Sequence, residues 1–287
     1  MDLLASLAAE ERWLYPAFLA MYAAIYCVGH LVFRRWELRR RLDGASCLIS
    51  LFHGSPAALA AAAAVLALPP SARGFAAPNA RLHDHILDYS VAYFTMDLLH
   101  YLTFLPGDIL FIAHHLATLF VFVTCRYLVR HGAFALLVLL VLAEVTSALQ
   151  NAWTLAGIWR DQSPAAARVY SALSPPFYLL YTLVRCVAGP LFFLKMSAFY
   201  LSGQAVDVIP WWVRISWIVV VGTAIAVSNL WIWNLWKELF RERKQAVVLS
   251  QPVWRCGSCV FHGGVFGWRR RDGPSRSWFL PPWTPVV

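Results

Sequence analysis

A histidine held beside a carboxylate can accept, carry or deliver a proton near neutral pH, and this chain gathers such residues between positions 93 and 185. Tyr93, Asp97 and His100 are spaced i, i+4, i+7, which puts them on one face of a helix. After the turn Pro106-Gly107-Asp108 come His114, His115 and Thr118. Glu144, Ser147 and Asn151 then follow at i, i+3, i+7, and Ser174, Tyr178, Tyr181 and Arg185 at i, i+4, i+7, i+11. Acyl transfer fits this set best: an imidazole serves as base or nucleophile, and a buried acid holds its tautomer. His114, His115 and Asp97 are the candidate catalytic residues. His100, Tyr93, Thr118, Glu144, Ser147, Asn151, Tyr178, Tyr181 and Arg185 are candidate substrate contacts. The same side chains would also suit plain hydrogen bonding between helices. A di-iron oxygenase needs more histidines, in repeated boxes, and a zinc hydrolase would want a helical H-x-x-x-H pair that is lacking. Cys256-Gly-Ser-Cys259 with His262 is half a zinc site without a second ligand pair. No metal and no resident cofactor is expected, and acyl-CoA would enter as the co-substrate of an acyl transfer.

The elements that carry these residues must lie in a membrane. Of the 287 residues 60% are hydrophobic and only 14% charged, where a soluble domain carries roughly 25% charged residues. The net charge of +9 does not point to nucleic acid, because 21 of the 24 basic residues are arginine and most flank apolar runs. Hydropathy predicts an all-α, polytopic membrane helix bundle of about seven transmembrane helices, near 13–33, 47–69, 86–105, 109–129, 132–158, 173–201 and 211–236. The third is the least hydrophobic. With the N-terminus lumenal and the C-terminus cytosolic, the cytosolic segments hold 16 Lys and Arg against seven on the other side. The organisation reads as a signal-anchor helix and basic loop over 1–44, a six-helix membrane domain over 45–240 and a basic, disordered tail over 241–287. Ala57 to Ala67 gives the second helix a small-residue face. Pro190 should kink the sixth helix, Pro175-Pro176 should open it, and Trp211, Trp212, Trp231, Trp233 and Trp236 should mark the interfaces of the seventh. At 1.5 Å per residue His100 and His114 both lie roughly 8 Å from the short turn, with Glu144 and Arg185 near mid-membrane. One polar chamber would accommodate them all, with Glu144 and Arg185 paired.

The stretch Gly107-Asp108-Ile109-Leu110-Phe111-Ile112-Ala113-His114-His115-Leu116-Ala117-Thr118-Leu119 resembles the signature of the TLC-domain family, which includes ceramide synthases, and the likeness extends from about residue 45 to 240. His100, His114 and His115 match the upstream histidine and the histidine pair of ceramide synthases. Where those enzymes carry His-Asp-x-x-Asp on the next helix, this chain has Leu142-Ala143-Glu144-Val145-Thr146-Ser147, with a single acid. The Glu-x-x-Ser form looks more like the smaller, non-synthase members, plant ones among them. The resemblance implies a protein of the endoplasmic reticulum or another endomembrane that binds lipid or acyl groups and affects membrane lipid homeostasis. The alternatives are an acyl-CoA-dependent lipid N- or O-acyltransferase and a trafficking or translocation factor. Membrane lipids are the expected partners, with a homo-oligomer left open and nucleic acid excluded.

Overall fold

A run of about 20 apolar residues can satisfy all its backbone N–H and C=O groups inside a bilayer by coiling into a helix. The computed structural model describes residues 2–69 and 72–250, and these are mostly helical, without strands. In chain order the helices are α1 (Asp2–Val32), α2 (Leu38–Ala67), α3 (Arg81–Phe104), α4 (Ile109–Val123), α5 (Ala133–Glu144), α6 (Ser147–Trp159), α7 (Pro164–Leu183), α8 (Gly189–Leu201) and α9 (Trp211–Ser250). Two π-turns, Thr124–Val129 and Val184–Ala188, prolong α4 and join α7 to α8.

Among the described residues six helical segments are long and apolar enough to cross a membrane: Trp13–Val32, Leu38–Ala67, Ile109–Val129, Ala133–Trp159, Pro164–Leu201 and Trp211–Arg241. The segment expected as a further, weakly hydrophobic span is α3. It is 24 residues long but too polar to qualify by composition. Its position explains the composition. α3 packs against α1, α2 and α4, so Asp88, Asp97 and His100 are buried in protein.

Other boundaries depart from the hydropathy reading for local reasons. α2 begins at Leu38, so Arg39 sits in its first turn and reaches both Asp43 (3.5 Å) and Asp108 (3.4 Å). The expected fifth helix is broken at residues 145–146 into α5 and α6. The expected sixth begins at Pro164, where Ser163 accepts from the Ala166 N–H, so Pro175 and Pro176 lie inside α7 and not at its start. Pro190 has no N–H for the carbonyl four residues back. The ladder shifts instead, and the Gly189 N–H donates to the Val184 carbonyl five residues back. α9 runs on to Ser250. Of its tryptophans, Trp211, Trp212 and Trp233 are exposed, whereas Trp231 and Trp236 pack on Tyr181 and Tyr178. The Cys256, Cys259 and His262 motif lies outside the described residues, as does the tail from 251 on.

The end of the bundle opposite the Arg34–Arg41 segment is densely tied. Arg126, in the first π-turn, makes a two-pronged bond to Asp88 (Nε–Oδ1 3.0 Å, Nη2–Oδ2 3.1 Å) and a third ion pair to Asp84 (3.2 Å). Tyr127 adds a 2.6 Å hydrogen bond to Asp88. The connection between α2 and α3 is stitched to the same end: Asn79 Oδ1 accepts from the Ala133 N–H, and Tyr200 Oη donates to the Phe75 carbonyl, each at 3.0 Å.

Candidate lipid cavity and the polar column behind it

The predicted site residues fall into three groups. The first is a fully buried column organised by α2. Ser46, Ser50, His53 and Gly54 stand at i, i+4, i+7, i+8, one helix face, and each meets a different neighbour. Ser46 Oγ donates to Asp97 Oδ1 at 2.9 Å, Asn151 Nδ2 donates to Ser50 Oγ at 3.0 Å, and His53 Nε2 shares a 3.1 Å hydrogen bond with Ser90 Oγ. The His53 ring stacks flat on Tyr93, centroids 4.0 Å apart. Gly54 lies against the α5–α6 break, where an added Cβ would stand 2.5 Å from Ser147 Cβ and 2.7 Å from Glu144 Oε2. A glycine here lets two helices approach at a distance no other residue permits.

Asp97 completes the column with His115, whose Nε2 lies 2.9 Å from Asp97 Oδ2. The other ring nitrogen, Nδ1, is 2.7 Å from the Phe111 carbonyl, which can only accept, so Nδ1 carries a proton. Both nitrogens of His115 are occupied, and the ring is wholly buried. His115 and Asp97 thus form a closed pair that fixes α3 to α4.

The second group sits elsewhere. His100 Nδ1 meets Tyr26 Oη of α1 at 2.7 Å, with His30 stacked edge-on against the same tyrosine. Tyr178 and Tyr181 belong to an aromatic cluster with Trp153, Phe177 and Ile232. None of these three lines the cavity that His114 borders, so the single chamber expected from depth alone is divided.

The third group lines an elongated cavity of about 410 Å³ between α4, α5, the second π-turn and α9. His114, Thr118, Glu144 and Arg185 border it, with the hydroxyls of Thr223 and Ser228 from α9, in walls otherwise mostly of Leu, Val, Ala and Phe. Leu110 and Ala113 of α4 and Val219 and Thr223 of α9 line it and are exposed, so it opens sideways on the bundle surface between these two helices. The volume lies within the ~300–1,000 Å³ range of small-molecule sites.

Glu144 and Arg185 face this cavity side by side, but they do not form the expected ion pair. Arg185 Nη2 donates to the Ala143 carbonyl at 2.6 Å, and its guanidinium stands 5.2 Å from the Tyr181 ring centroid. Glu144 Oε2 accepts from Ser147 Oγ at 2.5 Å. The break explains the choice. α5 ends with carbonyls that have no helical partner and α6 begins with free N–H groups, so a cation suits the first end and an anion the second. Arg185 meets the end of α5 directly, and Glu144 meets the first residue of α6 through the Ser147 hydroxyl.

Sequence reasoning placed Asp97, His114, His115 and Glu144 but missed Ser46, Ser50, His53 and Gly54. Their helical period was present in residues 46–54, just before the alanine-rich run Ala57 to Ala67 that read as a packing face. Among the described residues, no three His, Cys, Asp or Glu side chains gather as metal ligands.

The TLC-domain profile matches residues 43–237. A TLC domain-containing protein of Arabidopsis thaliana is 58% identical over 232 residues, which cover 80% of this chain and 91% of that protein. No solved structure matches significantly.

Proposed function

Given that this chain belongs to the TLC-domain family, we propose that this multi-pass membrane protein holds the acyl chain of a lipid in the cavity between α4, α5 and α9 and so acts on membrane lipid composition. The observation that carries the reading is the shape and lining of the cavity: a long, mostly apolar slot bordered by two charged side chains, one histidine and three hydroxyls, open on the face that meets lipid. The endoplasmic reticulum, with the N-terminus lumenal and the Arg34–Arg41 segment cytosolic, suits the arginine bias. A glycosylation acceptor inserted near residue 76 should be modified, and one placed in the tail should not.

Filling the slot tests the function. Ala117→Trp and Leu140→Trp each place a large ring in its wall. Purified variants that fold should carry much less acyl lipid by mass spectrometry than the parent protein, and cells producing them should show the lipid profile of cells without the protein. Unchanged lipid content in both variants would count against the reading.

Acyl transfer is the second reading, favoured by one observation: His114 is the histidine on the cavity wall, with Thr118 one turn away bonded to its carbonyl (2.9 Å). Acyl-CoA would then be the donor and His114 the base or nucleophile. His114→Asn should lower turnover ~10²–10⁴-fold, and turnover that survives it would remove His114 from the chemistry.

A further inference from the structure

We infer that the α5–α6 break is a headgroup site for a single-chain lipid whose head carries both an anion and a primary ammonium, of the phosphoethanolamine kind. The inference rests on the acyl-cavity reading and adds the chemistry of the head. Three observations support it.

Glu144 and Arg185 have opposite charges, stand on the wall of one cavity and leave each other unpaired. Each is also under-used. Glu144 receives one hydrogen bond, from Ser147, although a carboxylate has room for about four. Arg185 spends one N–H on Ala143, while its buried Nε meets no acceptor. Beyond His114 and the hydroxyls of Thr118, Thr223 and Ser228 the surrounding wall is apolar, with no other carboxylate, lysine or arginine, so a head that brought net charge into it would find little to compensate that charge. A carboxylate or a phosphate monoester would meet Arg185 but also repel Glu144. A cationic head would do the reverse. A head with separated charges matches both: its phosphate oxygens accept from the guanidinium, and its ammonium donates to the free Glu144 oxygen. A quaternary ammonium has no N–H to donate and loses the second bond.

The slot accounts for the single chain. From Leu110 to Val121 its α4 wall extends roughly 16 Å at 1.5 Å per residue, and the volume is of the order of one acyl chain. The sideways opening between α4 and α9 gives the chain a path from the bilayer.

The purified full-length protein in detergent should be titrated with lysophosphatidylethanolamine, lysophosphatidylcholine, lysophosphatidic acid and palmitate, the first three with a palmitoyl chain, and read by native mass spectrometry. The ethanolamine lipid should bind about tenfold tighter than the other three, the worth of one charge-assisted hydrogen bond. Glu144→Gln keeps the shape and the Ser147 contact and should erase the difference between ethanolamine and choline. Arg185→Gln should weaken both by about tenfold. Equal binding of all four lipids, or tightest binding of lysophosphatidic acid or palmitate, overturns the headgroup assignment while leaving the acyl cavity standing. Binding of none overturns both. Should a variant fail to fold, the ligand series on the parent protein decides.

Discussion

Two π-turns, each carrying an arginine, pack against different helices of this bundle, and they have been put to different use. Arg126 in the turn Thr124–Val129 is buried and bound by two aspartates. Arg185 in the turn Val184–Ala188 has a single hydrogen bond to a backbone carbonyl and borders the cavity. The backbone device is the same in both: one extra residue in a turn leaves a helix with spare carbonyls and pushes a long side chain sideways. The surroundings set the role. Where α3 supplies Asp84 and Asp88, the arginine locks two helices together. Where the neighbouring helix is broken and its one carboxylate serves the other half, the arginine keeps free donors beside an open slot.

This contrast can be broken by substitution. Arg126→Gln leaves Asp88 as an uncompensated buried charge and should cost ~3–5 kcal/mol, enough to abolish accumulation of folded protein in size-exclusion profiles. Gly54→Ala drives a methyl into Ser147 and Glu144 and should cost ~1–3 kcal/mol, seen as a lower melting temperature and a change in lipid carried. Arg185→Gln should cost only ~1 kcal/mol in the same melt, because one hydrogen bond to a carbonyl is lost and no carboxylate is orphaned within bonding distance. Equal losses for Arg126→Gln and Arg185→Gln would erase the distinction between the lock and the site. The smallest effect is expected at Thr124→Val, which removes the acceptor of the 2.9 Å bond from Trp217 Nε1. Side-chain hydrogen bonds between membrane helices average about 0.6 kcal/mol, so its melt should move barely beyond error.

The parts of the molecule that obey one-dimensional rules were legible in the chain itself. Runs such as Trp13–Val32 and Ile109–Val129 must span because of their length and composition, and the helical spacing of Tyr93, Asp97 and His100 put them on one face before any packing was known. Depth alone, however, could not tell which side of a helix a residue faces. His100 turns to Tyr26 on α1 while Asp97, three residues earlier, turns to α2 and α4. Nor could it foresee that Glu144 and Arg185 would decline to pair, since that depends on a break at 145–146 where no proline or glycine marks the sequence. His53 was hidden for the opposite reason: beside apolar neighbours such as Leu51 and Phe52, one imidazole barely alters the hydropathy, and its stacking on Tyr93 is a tertiary fact.

The acidic face of α3 also constrains how the protein is made. Asp88 and Asp97 each raise the cost of partitioning this helix by up to about 2.5–3.5 kcal/mol, so α3 emerging from the ribosome has little reason to stay in the bilayer alone. The groups that neutralise it, His115 and Arg126, are translated 18 and 38 residues after their partners Asp97 and Asp88. α3 and α4 therefore enter as a hairpin, with the second helix completing the first. A chain truncated just before His115 and released from the ribosome should leave α3 outside the membrane, accessible to protease, and one truncated beyond Arg130 should not.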